Sequence, residues 1–432
     1  MFRTISNFMR VADIRKKIVF TLLMLVIFRI GTFIPVPFTD SEAIGFMDDS
    51  QNVFGFLNTF GGGALQNFSI LAMGIMPYIT ASIIMQLLQM DVVPKFTEWK
   101  KQGEMGRKKI AQVTRYGTVG LAFIQGIAMS LGFNAMAGGE LIINPTPLKY
   151  IVIAIVMTTG TAFLMWLGEQ ITANGVGNGI SIIIFAGIVA AIPNGVKQLY
   201  SQYFVNPGSD LFLNVVIVVL IALVVVAVTV GVIYIQQAER KIPVQYAKRL
   251  VNRSPVGGHS THIPLKVNAA GVIPVIFAIA FIVAPRTVAT FFEGSKAASI
   301  VENTFDYTEP IGMVIYVILI IAFTYFYTFV QVNPEQMAEN LQKQGGYVPG
   351  IRPGFNTETY LTRVMYRLTL VGSIFLAAVS VLPILLGKLA NLPTAVQIGG
   401  TSLLIVVGVA LQTMKQLEGQ LVKRHYKGFI RS

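Results

Sequence analysis

Along the chain, long apolar runs alternate with short polar connectors. Ten of the runs, at residues 18–34, 68–90, 116–136, 150–167, 180–192, 211–235, 269–284, 311–330, 368–386 and 395–411, approach the length that a membrane-crossing helix requires, about 20 residues. The second run has an unusual start. A triple glycine, Gly61 to Gly63, leads through a weakly apolar decapeptide into an aliphatic helix interrupted only by Pro77. Irregular backbone at membrane depth survives only where it is buried in protein or lines a watery cavity, because lipid cannot satisfy free amides and carbonyls. That stretch therefore predicts a cavity. The fifth run meets Pro193, so it either continues past a kink towards Tyr200 or is a partial span.

The runs repeat. Gly74-Ile75-Met76-Pro77-Tyr78-Ile79 in the second matches Gly271-Val272-Ile273-Pro274-Val275-Ile276 in the seventh. Gly179-Ile180-Ser181 with Ile184 in the fifth matches Gly400-Thr401-Ser402 with Ile405 in the tenth. Pairing two with seven and five with ten is what two five-span copies would give, and an odd number of spans per copy inverts the second. The expected fold is an all-α polytopic membrane protein: ten transmembrane helices in two inverted, pseudo-symmetric five-helix halves. The expected division is residues 1–205 for the N-terminal half, 206–413 for the C-terminal half and 414–432 for a tail.

Composition agrees with this class, being 54% hydrophobic and 12% charged with a mean hydropathy of +0.66, far from an ordinary soluble domain. The excess of 33 Lys and Arg over 20 Asp and Glu belongs in cytoplasmic loops of a membrane protein; ribosomal RNA is the weaker partner reading. With ten spans and the N-terminus inside, 27 basic residues fall on the cytoplasmic side, five outside and one, Arg29, within a span. Deleting the 68–90 or the 180–192 run would invert everything downstream, so the bias supports both. The basic start followed by an apolar run lacks a small-residue cleavage site and reads as a first anchor. Two long cytoplasmic loops, 236–268 and 331–367, have the lengths of docking surfaces.

Four apolar segments carry the candidate site. Ile75 and Ile79, like Ile180 and Ile184, are four residues apart and share a helix face, and the repeat adds Ile276 and Ile405. Ordinary packing or lipid contact is the competing reading for each. Gly74, Gly179, Gly271 and Gly400 precede these positions and permit close backbone approach. A narrow apolar collar resists water and ions by dewetting while selecting no particular solute. The spans hold no buried carboxylate or imidazole, which ion-coupled carriers and intramembrane metalloproteases require near mid-membrane. No P-loop, His-Glu zinc helix or Ser-His-Asp constellation occurs, and the chain has no cysteine. No catalytic residue, metal site or cofactor is expected. An inverted-repeat secondary transporter or lipid flippase is the alternative class, and a scaffold that never conducts is a third.

Longer motifs point to a family. GIMPYITASIIMQLL at 74–88, GRKKIAQVTRYGT at 106–118, FLMWLGEQIT at 163–172 and GNGISIIIFAGIVA at 177–190 closely resemble the bacterial SecY family of protein-translocon channel subunits. So do STHIPLKVNAAGVIP at 260–274, GGYVPGIRPG at 345–354 and GGTSLLIVVGV at 399–409. Outward loops such as 291–309 match no motif.

The resemblance implies that the two halves clasp an hourglass pore in the bacterial plasma membrane, both termini cytoplasmic, with Ile75, Ile79, Ile180, Ile184, Ile276 and Ile405 as the pore ring. It implies a displaceable plug at about 58–67, with Asn58, Gly61, Gly62, Gly63 and Asn67, whose glycines suit a loosely held segment. A lateral gate would release signal sequences and membrane segments into the lipids, with Gln86 and Asn268 at its polar positions; helix capping is the bland reading of Gln86. Arg352, between the turn signals Pro349-Gly350 and Pro353-Gly354, would contact the SecA motor. Arg240, Lys241, Lys248 and Arg249 would meet SecA or the ribosome, the bland reading being solvated charges at the inner leaflet. SecE and SecG are the implied membrane partners, and a translocating polypeptide the passenger.

Overall fold

A computed structural model of the chain describes residues 11–40, 58, 61–89, 93–205, 211–246, 249–251, 254–256, 260–289, 296–389 and 399–429. The first half holds α1 (Ala12–Gly31), α2 (Met76–Leu88), a short α3 (Pro94–Lys101), α4 (Glu104–Met136), α5 (Pro147–Asn174) and α6 (Gly179–Tyr200). The second holds α7 (Leu211–Gln237), α8 (Ile273–Ala289), a short α9 (Lys296–Thr304), α10 (Pro310–Gln331), α11 (Pro334–Lys343), α12 (Phe355–Leu389) and α13 (Gly399–Phe429). Each of the ten apolar runs overlaps one of these helices, although the start of the 68–90 run, residues 68–75, is not helical. Among the described residues, six helical stretches are long and apolar enough to cross a membrane, while α2 and the apolar part of α8 are shorter. α7 is apolar all round, with a mean hydropathy of 3.4 in its central window, and most of that surface is unburied, the signature of a helix facing lipid.

Of the two readings left open at Pro193 the structure takes the first, and the expectation at Pro77 changes. α6 does not stop at Pro193 but continues to Tyr200 and ends in a π-helical turn, Ser201–Val205. Pro77 does not interrupt a helix: α2 begins at Met76, and Pro77 occupies its first turn. Pro274 stands in the same place in α8, which begins at Ile273. A first-turn proline needs no N–H partner and arrives with helical φ, so it starts helices well. The chain ahead of α2, residues 61–75, is a succession of turns.

The helix contacts repeat between the halves. α4 packs on α2 and α5, as α10 packs on α8 and α12; α5 lies against α6, as α12 lies against α13. α1 touches α5 and α6, as α7 touches α12 and α13. The halves meet through α2 against α8 and α6 against α13, the two pairs that the sequence repeat matched. One large apolar cluster spans that meeting and draws on both halves.

The two long loops do not stand apart. Strand β1 (Glu239–Tyr246) lies between β4 (Ser260–Lys266) and β5 (Gly346–Tyr347), antiparallel to both. β2 (Arg249–Val251) and β3 (Ser254–Val256) form the hairpin tip. Ile242 and Val244 alternate inward with the strand period and join Leu265, Leu341, Val348, Leu361 and Met365 in a separate small core. The sheet thus makes one body of segments about a hundred residues apart in sequence.

Candidate functional site

All six isoleucines belong to, or pack on, the large apolar cluster that spans the two halves. Ile75, Ile79, Ile184, Ile276 and Ile405 are all buried members of the cluster where the halves meet, and Ile180 packs against it partly buried. Ile75 caps α2, and its carbonyl accepts from the Ile79 amide at 3.1 Å, so the pair is one helical turn apart. Asn178 starts α6 by accepting from the amides of Ile180 and Ser181, which fixes the rotation of that pair. Ile180 leans towards α5, where a Cβ at Gly168 would lie 3.1 Å from its Cγ1. Ile83, Ile183, Ile188, Val275 and Phe277 belong to the same cluster; these sequence reasoning had not singled out, since helical rotation separates them from a collar only when partner helices are placed.

The segment expected as a plug sits beside this cluster. The structure describes Asn58 and residues 61–67 of it; Thr59 and Phe60 lie outside the described residues. Its carbonyls and amides are tied internally: Gly63 donates to the Asn58 carbonyl at 2.9 Å, and Gln66 donates from its amide to the Asn58 Oδ1 at 3.0 Å. Gly62 and Gly63 take the left-handed conformation, at φ +67° and +85°, which glycine adopts without steric cost. Asn67 donates from Nδ2 to the Thr32 carbonyl at 3.2 Å, and Arg29 donates from Nη1 to the Gly62 carbonyl. Ala64 and Leu65 are fully buried. The segment is packed and anchored here, and Gly62 lets its backbone pass close to Gly187 of α6.

Residues 68–70, just beyond it, are held more firmly still. The Val36 amide donates to the Phe68 carbonyl and the Ile70 amide to the Ile34 carbonyl, both at 3.0 Å. Phe68 is held at φ +40°, with its ring edge-on to Phe133 at 6.0 Å. Leu141 and Ile142, from the connection between α4 and α5, complete this second core.

Gln86 lies on α2, which faces α8, and Asn268 in the turn leading into α8. Gln86 donates to Ser82 Oγ at 3.3 Å and Asn268 to the Gly271 carbonyl at 3.0 Å, so each amide bonds within its own segment. The remaining oxygens, Gln86 Oε1 and Asn268 Oδ1, are buried without a partner among the described residues. Unpaired buried acceptors are costly, and both gain when water or a donor reaches the seam. In the last turn of α8, Arg286 pairs with Asp306 at 3.4 Å, and burial pushes the neighbouring Tyr307 hydroxyl above its ordinary pKa while Arg286 pulls the other way.

The basic residues map onto the loop body. Arg240 and Lys241 are exposed on β1, and Arg249 begins β2; Lys248 lies outside the described residues. Arg352 is exposed between Gly350 and Gly354, at φ +81° and +95°, and its carbonyl accepts from Thr357 Oγ1 at 2.9 Å. The turn expected there is present. Among the described residues, no group of His, Cys, Asp or Glu is arranged to hold a metal ion.

A family model described as SecY matches residues 69–414. A protein translocase subunit SecY from Halalkalibacterium halodurans is 68% identical over 432 residues, covering 100% of both chains. Among solved structures, one showing that the plug domain of the SecY protein stabilises the closed state of the translocation channel and maintains a membrane seal is similar with a TM-score of 0.61 at 22% identity, over 94% of this chain and 92% of that one. Sec61 in the canine ribosome-channel complex is similar with a TM-score of 0.57 at 19% identity, over 94% and 93%. These distant likenesses concern the fold.

Proposed function

The chain belongs to the SecY family, and from that premise we propose that it is a multi-pass membrane channel subunit that conducts polypeptides, sealed at rest by its isoleucine collar. The observation that supports the reading is that Ile75, Ile79, Ile184, Ile276 and Ile405, with Ile180 packed beside them, all lie in the one apolar cluster where the halves meet. Aliphatic walls exclude water and ions when nothing is threaded, and they yield to any passenger because they make no directional bonds. Residues 1–205 and 206–413 act as the halves, 58–67 as the plug, and 414–432 as a cytoplasmic tail. Passengers are secretory polypeptides crossing the bacterial plasma membrane, and signal or membrane segments leave sideways past Gln86 and Asn268 into the lipids. The unpaired acceptors at those positions support this, since opening the seam would satisfy them.

Drive comes from outside the chain. SecA or the ribosome docks on the body that presents Arg240, Lys241, Lys248, Arg249 and Arg352, and SecE and SecG complete the membrane complex. The joint sheet supports this reading, because a push on either loop reaches the turn that starts α8. A cysteine placed at Ile79 or Ile276 is expected to crosslink to a stalled secretory polypeptide; absence of any adduct at both positions would refute the channel axis. Arg352→Glu is expected to abolish SecA-driven translocation while leaving the protein folded and inserted, and wild-type transport would defeat that docking assignment.

A further inference from the structure

We propose that Arg29 is a positioning residue that latches the plug segment in its sealing place, an inference that rests on the plug reading above. Arg29 is half-buried near the end of apolar α1, and no described carboxylate forms an ion pair with it. Its guanidinium lies 4.8 Å from the Phe33 ring centroid and donates to the Gly62 carbonyl. A charged side chain in an apolar run is costly unless its donors are met, and such groups mark function. Here the acceptor is the backbone of the segment that has to move.

The Gly62 peptide is shaped for that contact. It sits at φ +67°, and an added Cβ would lie 3.2 Å from the Gly187 Cα on α6, 3.5 Å from Phe28 Cζ and 3.6 Å from Arg29 Nη1. Glycine is thus favoured twice, by conformation and by the tight space at its Cα between α1 and α6. Two residues on, Ala64 enters the same cluster as the collar. A charge-assisted bond is roughly twice as strong as a neutral one, so one side chain can hold the tip shut until a passenger dislodges it. Asn67 holds the segment's far end to Thr32 by a neutral bond, which leaves Arg29 as the charged attachment at the tip.

The chain has no cysteine of its own, so one placed at Ala64, which is fully buried, reports plug position cleanly. In the full channel complex in proteoliposomes, Arg29→Leu is expected to raise both leak of a small ion through idle channels and maleimide labelling of Ala64→Cys by about tenfold. Arg29→Lys, which keeps a charged donor, is expected to stay within about twofold of wild type. Unchanged leak and labelling in Arg29→Leu would overturn the latch, as would equal leak in the Lys variant, which would trace the effect to packing against Phe33. Deleting residues 58–67 separates the two readings: leak from the deletion but not from Arg29→Leu refutes the latch alone, and leak from neither refutes the plug itself.

Discussion

The entries into α2 and α8 are built from the same parts and fastened differently. Each helix is preceded by a left-handed glycine, Gly74 at φ +57° and Gly271 at φ +66°, two residues before the helix begins, with proline in the first turn. Four residues before each glycine, the backbone passes over a glycine of a neighbouring helix: Ile70 over Gly160 of α5, and Val267 over Gly372 of α12. Each glycine carbonyl also accepts a side-chain donor. For Gly74 the donor is Thr161 of α5, at 3.4 Å; for Gly271 it is Asn268 of the same turn, at 3.0 Å. The first joint is therefore bolted to another helix and continues into the buried segment beside the collar. The second has its glycine carbonyl bonded within its own turn and continues into the sheet through the bond from the Val267 amide to the Ala238 carbonyl. The duplicated joint thus reads as an anchor, tied to another helix, in one half and as a hinge, tied within its own turn, in the other.

The comparison breaks most visibly at Gly160. An added Cβ would stand 1.9 Å from the Ile70 carbonyl oxygen and 2.8 Å from its carbon, a clash with backbone that no rotamer change relieves. Gly160→Ala is expected to destabilise the channel by about 3 kcal/mol, read as a large fall in the unfolding midpoint of the purified complex. Gly372→Ala meets the Val267 carbonyl oxygen at 2.7 Å, where a shift of under an ångström restores contact. Its expected net cost is about 1 kcal/mol, because alanine returns some helix propensity. If the two variants cost the same, or Gly372→Ala costs more, the anchor and hinge distinction is wrong.

Much of this was legible in the chain and some was not, for definable reasons. Burial and lipid contact both demand unbroken apolar runs, so every run overlaps a helix, and the Gly-Pro signature marked the two joints in the sequence itself. Pro77 was misplaced as an interruption because run length shows where apolar chain lies, not where helical hydrogen bonding begins. The pairing of the 236–268 and 331–367 loops was hidden although Ile242 and Val244 alternate as a strand should, because the partner strand is only two residues long and a hundred positions away. Gly160 and Gly372 carried no signal of their own, since what they accommodate is backbone from another part of the chain. Arg29 did signal, as a lone charge in an apolar run, but its acceptor was a carbonyl, and every residue has one of those.

The finest difference lies in the carbonyl bonds at the two glycines. Thr161 is 1% exposed, and its hydroxyl reaches the Gly74 carbonyl at 3.4 Å, near the outer limit of a hydrogen bond. Thr161→Val keeps the shape and removes the donor, leaving a buried carbonyl without its side-chain partner, so a loss of about 0.5–1 kcal/mol is expected, at the low end for such a bond because of its length. Thr161→Ser retains the hydroxyl and controls for the lost donor, at the price of a missing methyl. Asn268→Ala removes the bond to Gly271 but also a buried oxygen that has no partner among the described residues, so those two terms oppose and the stability change should be smaller than for Thr161→Val. Amide hydrogen exchange decides the point: faster exchange of residues 70–79 in Thr161→Val, with residues 267–276 little altered in Asn268→Ala, is the expected pattern, and its reversal would make the first joint the hinge.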